Sequence, residues 1–321
     1  MTDGFFTFAL AIAGLLVLLD RRFRHVAIDV PNGRSLHAGP IPRTGGLAIM
    51  SAVLLTWLFL GVELQWLLLP AMLLAVSLLD DMRGVAVGWR LLTHVLVCAL
   101  FLLINLRGTD WWVLACLLLA MVWMLNLYNF MDGADGLAGG MTMIGFSAYA
   151  LAAYLAGDVD FAVMSFCIAM ASLAFLIFNF HPARIFMGDC GAIPIGFLAA
   201  AMGLTGWQHG IWPLWFPLLV FSPFIVDATV TILKRILRGE KVWQAHKTHY
   251  YQRLVQLGWG HKKTAIAEVV LMILTAGSAL LLFELNQRQQ AGVLLLWTLI
   301  YSVLMLLIDT KWRRFCRLGG S

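Results

Sequence analysis

Long apolar stretches follow one another along nearly the whole chain, and they are the feature that most limits its fold. Hydrophobic residues make up 61% of the 321 residues and charged residues only 12%, about half the charged fraction of a soluble domain. A helix needs about 20 mostly apolar residues to cross a bilayer. The sequence therefore predicts an all-α, polytopic integral membrane protein with about 11 transmembrane helices in a single domain, 1–321. The predicted spans are about 4–19, 44–62, 65–79, 91–106, 111–126, 141–156, 161–180, 191–206, 211–233, 264–284 and 290–308.

Basic residues are concentrated in alternate loops. With the first loop placed in the cytoplasm, 20 of the 22 Lys and Arg residues fall on that side. Such a bias marks the cytoplasmic loops of multi-pass membrane proteins. We therefore expect a periplasmic N-terminus and a cytoplasmic C-terminus. The five cysteines form no C-x-x-C pair, so neither a disulfide framework nor a zinc site is expected.

A polar, glycine-rich stretch, Asn126–Gly140, separates two predicted spans. Asn126, Asn129 and Asp132 are three residues apart, which would place them on one face of a continuing helix. Asp135 follows, and two Asp-Gly pairs are more than a single helix-capping turn requires. Carboxylates at the end of a membrane helix are costly unless they have a function, so we expect one wall of an active-site cleft here.

Other acidic residues lie in loops on the same predicted side. Asp80 and Asp81 end the third span, and Asp189 lies between glycines before the eighth. Adjacent carboxylates require a nearby cation, although a solvated helix end explains an isolated pair about as often. Asp189 is the leading Mg²⁺ ligand, because Mg²⁺ combines carboxylate with substrate phosphate oxygens. A helix N-cap is the competing interpretation of Asp189.

Cationic and imidazole side chains accompany these acids. Arg34, His37 and Arg43 lie on a loop shaped by prolines and glycines, and Arg90 closes the loop after Asp80. Rigidly held arginines suit phosphate. A membrane-facing anchor is the interpretation that we prefer for the arginines before residue 25.

A third group of polar residues lies later in the chain. His246, His249 and Arg253 are spaced for one helix face in loop 234–263, and Asn179 begins the loop before Asp189. Two histidines without an evident third ligand argue against zinc, so we expect donors to a diphosphate or sugar. The histidines that lie apart from these motifs, and are interpreted as structural, are His25, His94, His209 and His261.

These motifs, in this order from about Asp29 to Arg253, resemble those of the polyprenyl-phosphate N-acetylhexosamine-1-phosphate transferases, glycosyltransferase family 4. The phospho-MurNAc-pentapeptide translocase belongs to the same superfamily. The resemblance is closest to the bacterial branch that begins O-antigen, in lipopolysaccharide synthesis, or related surface polysaccharide. The segments that carry it are Asp29-x-Pro31-x-x-Arg34, Ile41-Pro42-x-x-Gly45-Gly46 and His246-x-x-His249-x-Tyr-Gln-Arg253.

The resemblance implies transfer of an N-acetylhexosamine 1-phosphate from a UDP-sugar to undecaprenyl phosphate, with release of UMP, at the cytoplasmic face of the bacterial inner membrane. It implies Mg²⁺, with Mn²⁺ as the alternative ion, surrounding membrane lipids and no nucleic-acid partner, and it allows a homodimer. By matching motif positions, the resemblance assigns catalytic roles to Asp80, Asp81 and Asp132 and metal binding to Asp189. It assigns substrate binding to Arg34, His37, Arg43, Arg90, Asn126, Asn129, Asp135, Asn179, His246, His249 and Arg253.

The chain departs from the family pattern at Ser35, at Ala192 and in a sparser final histidine motif. The first two departures are mild. The third touches sugar recognition and leaves the hexosamine open between GlcNAc and a 6-deoxy sugar such as FucNAc. A transporter is the main alternative function, since acids near spans also mark ion paths. Here the acids gather in loops, and no inverted repeat is visible. The Asp-Gly-x-Asp-Gly run also suggests a CDP-alcohol phosphatidyltransferase, whose following Ala-Arg is absent after Gly136. A membrane scaffold is the non-enzymatic alternative.

Overall fold

The computed structural model describes residues 2–20, 22, 27–29, 39–242, 244 and 246–318, and these residues are mostly helical. The helices are α1 (Thr2–Leu19), α2 (Gly45–Phe59), α3 (Leu64–Arg83), α4 (Val87–Asn105), α5 (Trp111–Phe130), α6 (Leu137–Leu155), α7 (Val159–Asn179), α8 (Asp189–Gln208), α9 (Trp215–Val220), α10 (Ser222–Leu237), α11 (Tyr250–Leu254), α12 (Gly260–Leu281) and α13 (Gln287–Arg317). A π-helical turn, Val255–Trp259, joins α11 to α12, and a 3₁₀ turn, Leu282–Glu284, follows α12. Two short antiparallel strands, β1 (Ile28–Asp29) and β2 (Ile41–Pro42), form the one sheet within this described part of the chain.

The predicted all-α, polytopic membrane fold is confirmed. Nine of the described helical segments are long and apolar enough to cross a membrane, with α11, the π-helical turn, α12 and the 3₁₀ turn counted as one. The 15-residue α2 and the pair α9–α10 occupy the other two predicted spans. Helices dominate because a bilayer offers the backbone no hydrogen-bond partners, so each spanning segment must pair its own N–H and C=O groups.

The ninth predicted span, 211–233, is not one continuous helix. The structure ends α9 at Val220 and begins α10 at Ser222, with Phe221 between them. Pro223 lies in the first turn of α10, where its missing N–H costs least. The second helix then continues to Leu237, beyond the predicted end of the span.

Of the described membrane-spanning helices, α8 is the most buried, and it sets the position of the site. It packs against α3, α5 and α2, and 89% of its apolar stretch is buried, compared with 11% for α13. Glycines permit this packing: a Cβ on Gly46 would lie 2.1 Å from Gly191 Cα. Because α8 lies at the centre of the bundle, its first residue, Asp189, meets loops from several directions.

Candidate active site

The segment that precedes α8 is held by backbone hydrogen bonds to the segment that precedes α2. Phe186 N–H donates to the Pro42 carbonyl over 2.8 Å. In return, the N–H groups of Gly45 and Gly46 donate to the carbonyls of Phe186 and Met187, each over 2.9 Å. Backbone groups that would otherwise lack partners are paired in this way, and two loops that are distant in sequence are fixed against each other.

Gly188 makes the turn into α8. Its φ of 74° and ψ of 170° lie in a region open essentially only to glycine, and a Cβ there would lie 2.3 Å from the Arg43 carbonyl oxygen. Gly188 is also the N-cap of α8, and Asp189 is the first helical residue, without a side-chain capping bond. The interpretation of Asp189 as an N-cap is therefore wrong.

Two further carboxylates bind the backbone of this turn. Asp132 Oδ2 accepts a hydrogen bond from Gly188 N–H over 3.0 Å, and Asp81 Oδ2 accepts one from Cys190 N–H over 3.0 Å. The C-terminal end of α3 and the loop that follows α5 thus meet the start of α8. Acidic residues predicted from three separate loops lie in one cluster.

Arg90 joins the remaining two acids. Its Nη1 donates to Asp80 Oδ2 and, over 3.2 Å, to Asp189 Oδ2. The other oxygen of Asp80 accepts from Val85 N–H over 2.7 Å. The Nε atom of Arg90 is buried without a hydrogen-bond partner among the described residues, so its guanidinium retains a free donor beside the carboxylates.

Arg43 supplies a second positive charge. Its Nη2 donates to Asp29 Oδ1 over 2.6 Å, across the β1–β2 pair. Burial lowers the pKa of the Arg43 guanidinium, but Asp29, with smaller contributions from Asp81 and Asp189, outweighs burial and raises that pKa. Arg43 therefore remains a fixed cation at the edge of the cluster.

Asp132 is the carboxyl whose protonation the fold most clearly alters. Burial raises the pKa of Asp132 well above its ordinary value of 3.8, and the charges of Asp189 and Asp81 raise it further. The Gly188 N–H and Arg43 act in the opposite direction. Among the residues that the structure describes, the carboxylates of the cluster outnumber the arginines that face them, so the cluster favours an additional proton or cation.

We expect Asp132→Asn to raise the free energy of unfolding at pH 8, in EDTA, by about 1 kcal/mol. Folding raises the pKa of Asp132, so this carboxyl favours folding below its ordinary pKa and loses that contribution as pH rises through its folded-state pKa. The stability that the variant gains over wild type should therefore shrink as pH falls towards 4. Chemical unfolding in mixed micelles at several pH values measures this difference in the free energy of unfolding. A variant less stable than wild type at every pH would contradict the expectation, and Asp160→Asn is the control.

The residues present fit a magnesium ion whose coordination is completed by the substrate. No group of three or more His, Cys, Asp or Glu within the described ranges is placed to hold a metal on its own. Mg²⁺ commonly takes only one or two carboxylates and completes its shell with water and substrate phosphates. The oxygen donors of Asp189 and its neighbours, with an excess of negative charge, match that pattern.

Asn126 and Asn129 lie on the last turns of α5, as the spacing predicts. Asn126 Nδ2 donates to the Val122 carbonyl over 2.7 Å, and the described residues offer Asn129 no side-chain hydrogen bond. The helix ends at Phe130, so Asp132 lies beyond it. The expectation of one continuing helix face therefore holds for the two asparagines and not for Asp132.

Asp135 and Asn179 tie the α5–α6 loop to the loop after α7. Asp135 Oδ2 lies 2.7 Å from His181 Nδ1, and its Oδ1 lies 3.6 Å from His261 Nδ1. Asn179 Oδ1 accepts from Gly136 N–H over 2.9 Å. The expectation that His261 lies apart from the motifs is therefore wrong, while substrate binding by Asp135 and Asn179 stays a prediction.

The histidine motif packs beside the end of α5. The rings of His246 and His249 stack 4.8 Å apart, and the His249 ring lies 5.9 Å from that of Phe130. His249 Nδ1 lies 3.3 Å from Asp227 Oδ1, and its side chain is 3% exposed. Tyr251 O–H donates to the Phe130 carbonyl over 3.0 Å, which fixes α11 against the α5–α6 loop.

Arg253 is buried in a network that reaches the last helix. Its Nη1 donates to Asp309 Oδ1 over 2.7 Å and its Nε to the Thr248 carbonyl over 2.7 Å. Lys234 Nζ also donates to Asp309. The guanidinium therefore braces α11 against α13, while the role predicted for it in substrate binding stays a prediction.

We expect Asp309→Asn to lower the free energy of unfolding by about 3 kcal/mol, because it leaves the buried Arg253 charge without its carboxylate. Chemical unfolding in mixed micelles provides the measurement. Arg314→Gln, an exposed change on the same helix, is the control and should have little effect. Equal losses in the two variants would contradict a buried ion-pair role for Asp309.

Two predicted site residues, Arg34 and His37, lie outside the described residues, as does His25. Sequence reasoning missed Asp309 and the partnership of His181 with Asp135. The sequence did hold a clue to Asp309, because residues 291–321 are otherwise apolar, polar or basic and contain no other acidic residue.

The fold and the cluster define a multi-pass membrane protein whose helix ends gather carboxylates and arginines into one site. Residues 64–206 match the family model of glycosyl transferase family 4. A decaprenyl-phosphate N-acetylglucosaminephosphotransferase of Mycobacterium leprae is 30% identical, over 88% of this chain and 83% of the relative. The chain belongs to glycosyl transferase family 4.

Other relatives carry related names. A probable undecaprenyl-phosphate N-acetylglucosaminyl 1-phosphate transferase of Bacillus subtilis is 28% identical, over 80% of this chain and 77% of the relative. A phospho-N-acetylmuramoyl-pentapeptide-transferase of Listeria welshimeri is 28% identical, over 70% of this chain and 78% of the relative.

Proposed function

We propose that the protein transfers an N-acetylhexosamine 1-phosphate from a UDP-sugar to undecaprenyl phosphate and releases UMP. The observation that carries the proposal is the convergence of Asp80, Asp81, Asp132 and Asp189 on the turn into α8, with Arg90 between two of them. The names of the relatives support it, since two of them specify a polyprenyl phosphate and N-acetylglucosamine phosphate.

The reaction brings two negatively charged substrates together, so the protein must offset their charge. An oxygen of the lipid phosphate attacks the β-phosphorus of the UDP-sugar. The bond from that phosphorus to the oxygen bridging the α-phosphorus breaks, and UMP leaves with its electrons. The lipid phosphate is already a nucleophile, so the protein must hold two anions together and offset their charge. Arg90 and Arg43 are placed to do so, and we infer direct in-line attack without a phospho-enzyme.

Asp189 is the residue that we propose to hold Mg²⁺, with Asp81 and Asp132 close to the same turn. When bound, Mg²⁺ would neutralise negative charge on the phosphates. Asp132 and Asp81 hold the backbone on either side of Asp189, so they fix the direction in which its carboxylate points. Removing either should loosen that geometry.

The bias of basic residues supports a site on the cytoplasmic face, and the family resemblance supports a location in the bacterial inner membrane. A membrane-level site suits an acceptor whose polyprenyl tail stays in the bilayer. The resemblance to the O-antigen-initiating branch supports a role in beginning a surface polysaccharide. The clustered acids lie at helix ends and in loops, which favours chemistry there over an ion path at the membrane midplane.

A panel assay tests the proposal. Purified protein is incubated with undecaprenyl phosphate, Mg²⁺ and UDP-GlcNAc, UDP-GalNAc or UDP-FucNAc, and UMP is measured. We expect UMP from at least one donor, dependent on both the lipid and the metal. Release that persists in EDTA would contradict the metal, and no UMP from any donor would refute the proposed reaction.

A further inference from the structure

A cavity lined by residues of α10, α11, α12 and α13 and of the π-helical turn shares no lining residue with the cluster at the turn into α8. Its volume is about 380 Å³. Its walls are largely apolar, and five of its large apolar lining residues, among them Leu274, Leu304 and Leu307, are exposed at the outer surface of the bundle. In a membrane that surface faces lipid acyl chains, so the cavity is open to the bilayer.

Three charged side chains line this apolar cavity: Asp227, Glu268 and Lys311. Asp227 already has partners, because its two oxygens accept the N–H groups of Tyr250 and Tyr251 over 2.9 and 3.0 Å. Within the described part of the chain, the side chains of Glu268 and Lys311 have no hydrogen bond or ion pair.

An unpaired carboxylate on a membrane helix is costly unless a partner satisfies it. Glu268 lies on α12 and Lys311 on α13, so the two helices bring one unpaired acid and one unpaired base to the same cavity. Lys311 is exposed and Glu268 is half-buried, so a ligand that pairs with both must carry an anion, a cation that can donate hydrogen bonds to a carboxylate, and an apolar part that lies along the cavity wall.

We propose that this cavity binds a phospholipid with a primary-amine headgroup, of the phosphatidylethanolamine type. The acyl chains lie along the apolar wall, the ammonium pairs with Glu268, and the phosphate pairs with Lys311. A polyprenyl phosphate suits the cavity less well, because it carries no cation for Glu268. An anionic phospholipid such as phosphatidylglycerol has the same deficiency.

Lipid retention tests this assignment without any sugar transfer. The purified protein is equilibrated with equal amounts of phosphatidylethanolamine, phosphatidylglycerol and phosphatidylcholine, and native mass spectrometry counts the lipids that stay bound. We expect phosphatidylethanolamine to be preferred, and Glu268→Gln or Lys311→Gln to reduce its retention by about fivefold, the upper end for a partly exposed ion pair. The ratio of lipids is measured within each sample, so it does not depend on the yield of folded protein.

Matched controls lie on the same two helical segments, outside the cavity: Glu284→Gln and Arg314→Gln should leave the ratio unchanged. The assignment is overturned if Glu268→Gln retains as much phosphatidylethanolamine as wild type. It is also overturned if phosphatidylglycerol or phosphatidylcholine is retained equally well, or if undecaprenyl phosphate displaces the bound lipid from wild type and Glu268→Gln alike.

Discussion

Asp189→Asn is expected to lower the rate of sugar-phosphate transfer by at least about 100-fold, a loss typical of removing a group that stabilises the transition state electrostatically. The substitution keeps the size of the side chain but removes the carboxylate that contacts Arg90 and that we propose to hold Mg²⁺. The start of α8 should be unaffected, because Gly188 is its N-cap. UMP release per mole of folded protein gives the rate.

The control for this variant is Asp160→Asn, an exposed change in the first turn of α7, which should leave the rate unchanged and alter stability little. Size-exclusion chromatography and thermal unfolding show whether Asp189→Asn inserts and folds. Near-normal transfer by a folded Asp189→Asn protein would place the metal on another residue.

Gly188→Ala is expected to lower the free energy of unfolding by about 4 kcal/mol, the sum of backbone strain and overpacking. Its φ of 74° is unfavourable for alanine, and the added Cβ would lie 2.3 Å from the Arg43 carbonyl oxygen and 3.0 Å from Asp81 Oδ2. Relief of that clash must shift the turn that carries Asp189. Transfer activity should therefore fall together with stability.

Gly157→Ala separates the two causes. Gly157 also has a positive φ, 86°, but a Cβ there would meet nothing within 4 Å. It should cost only about 1–2 kcal/mol, the strain of a left-handed residue, and transfer should persist. Chemical unfolding in mixed micelles compares the two variants. Equal losses would show that the close approach at Gly188 contributes nothing.

The membrane fold was predictable because it depends on composition over long stretches. Runs such as Val159–Asn179 are apolar enough to require a helix in lipid, whatever they pack against. The break between α9 and α10 at Phe221 was harder to predict from the sequence, although Pro217 and Pro223 flank it. Their effect depends on how neighbouring helices satisfy the interrupted backbone.

The site was predictable as a set of residues and not as a set of contacts. Asp80, Asp81, Asp132 and Asp189 could be grouped because their loops share a predicted side. Their actual partners, such as the Gly188 N–H for Asp132, follow from the close packing of backbone segments far apart in sequence.

The pairing of Arg253 with Asp309 shows most clearly which contacts could not be predicted from the sequence. These residues are 56 positions apart, and no local pattern connects them. Their contact depends on how α11 lies against α13, which is set by packing across the whole bundle. A predicted substrate-binding arginine thereby proves to have a buried carboxylate partner.

The most direct test of the proposed chemistry uses a UDP-sugar labelled with ³²P at the β-phosphate, purified protein in nanodiscs, undecaprenyl phosphate and Mg²⁺. Transfer of a sugar 1-phosphate predicts that the label enters the lipid phase, with one unlabelled UMP released for each labelled lipid. Label left in UDP would show transfer of the sugar alone, and label that stays in intact UDP-sugar would show no chemistry; either result would contradict the proposed reaction.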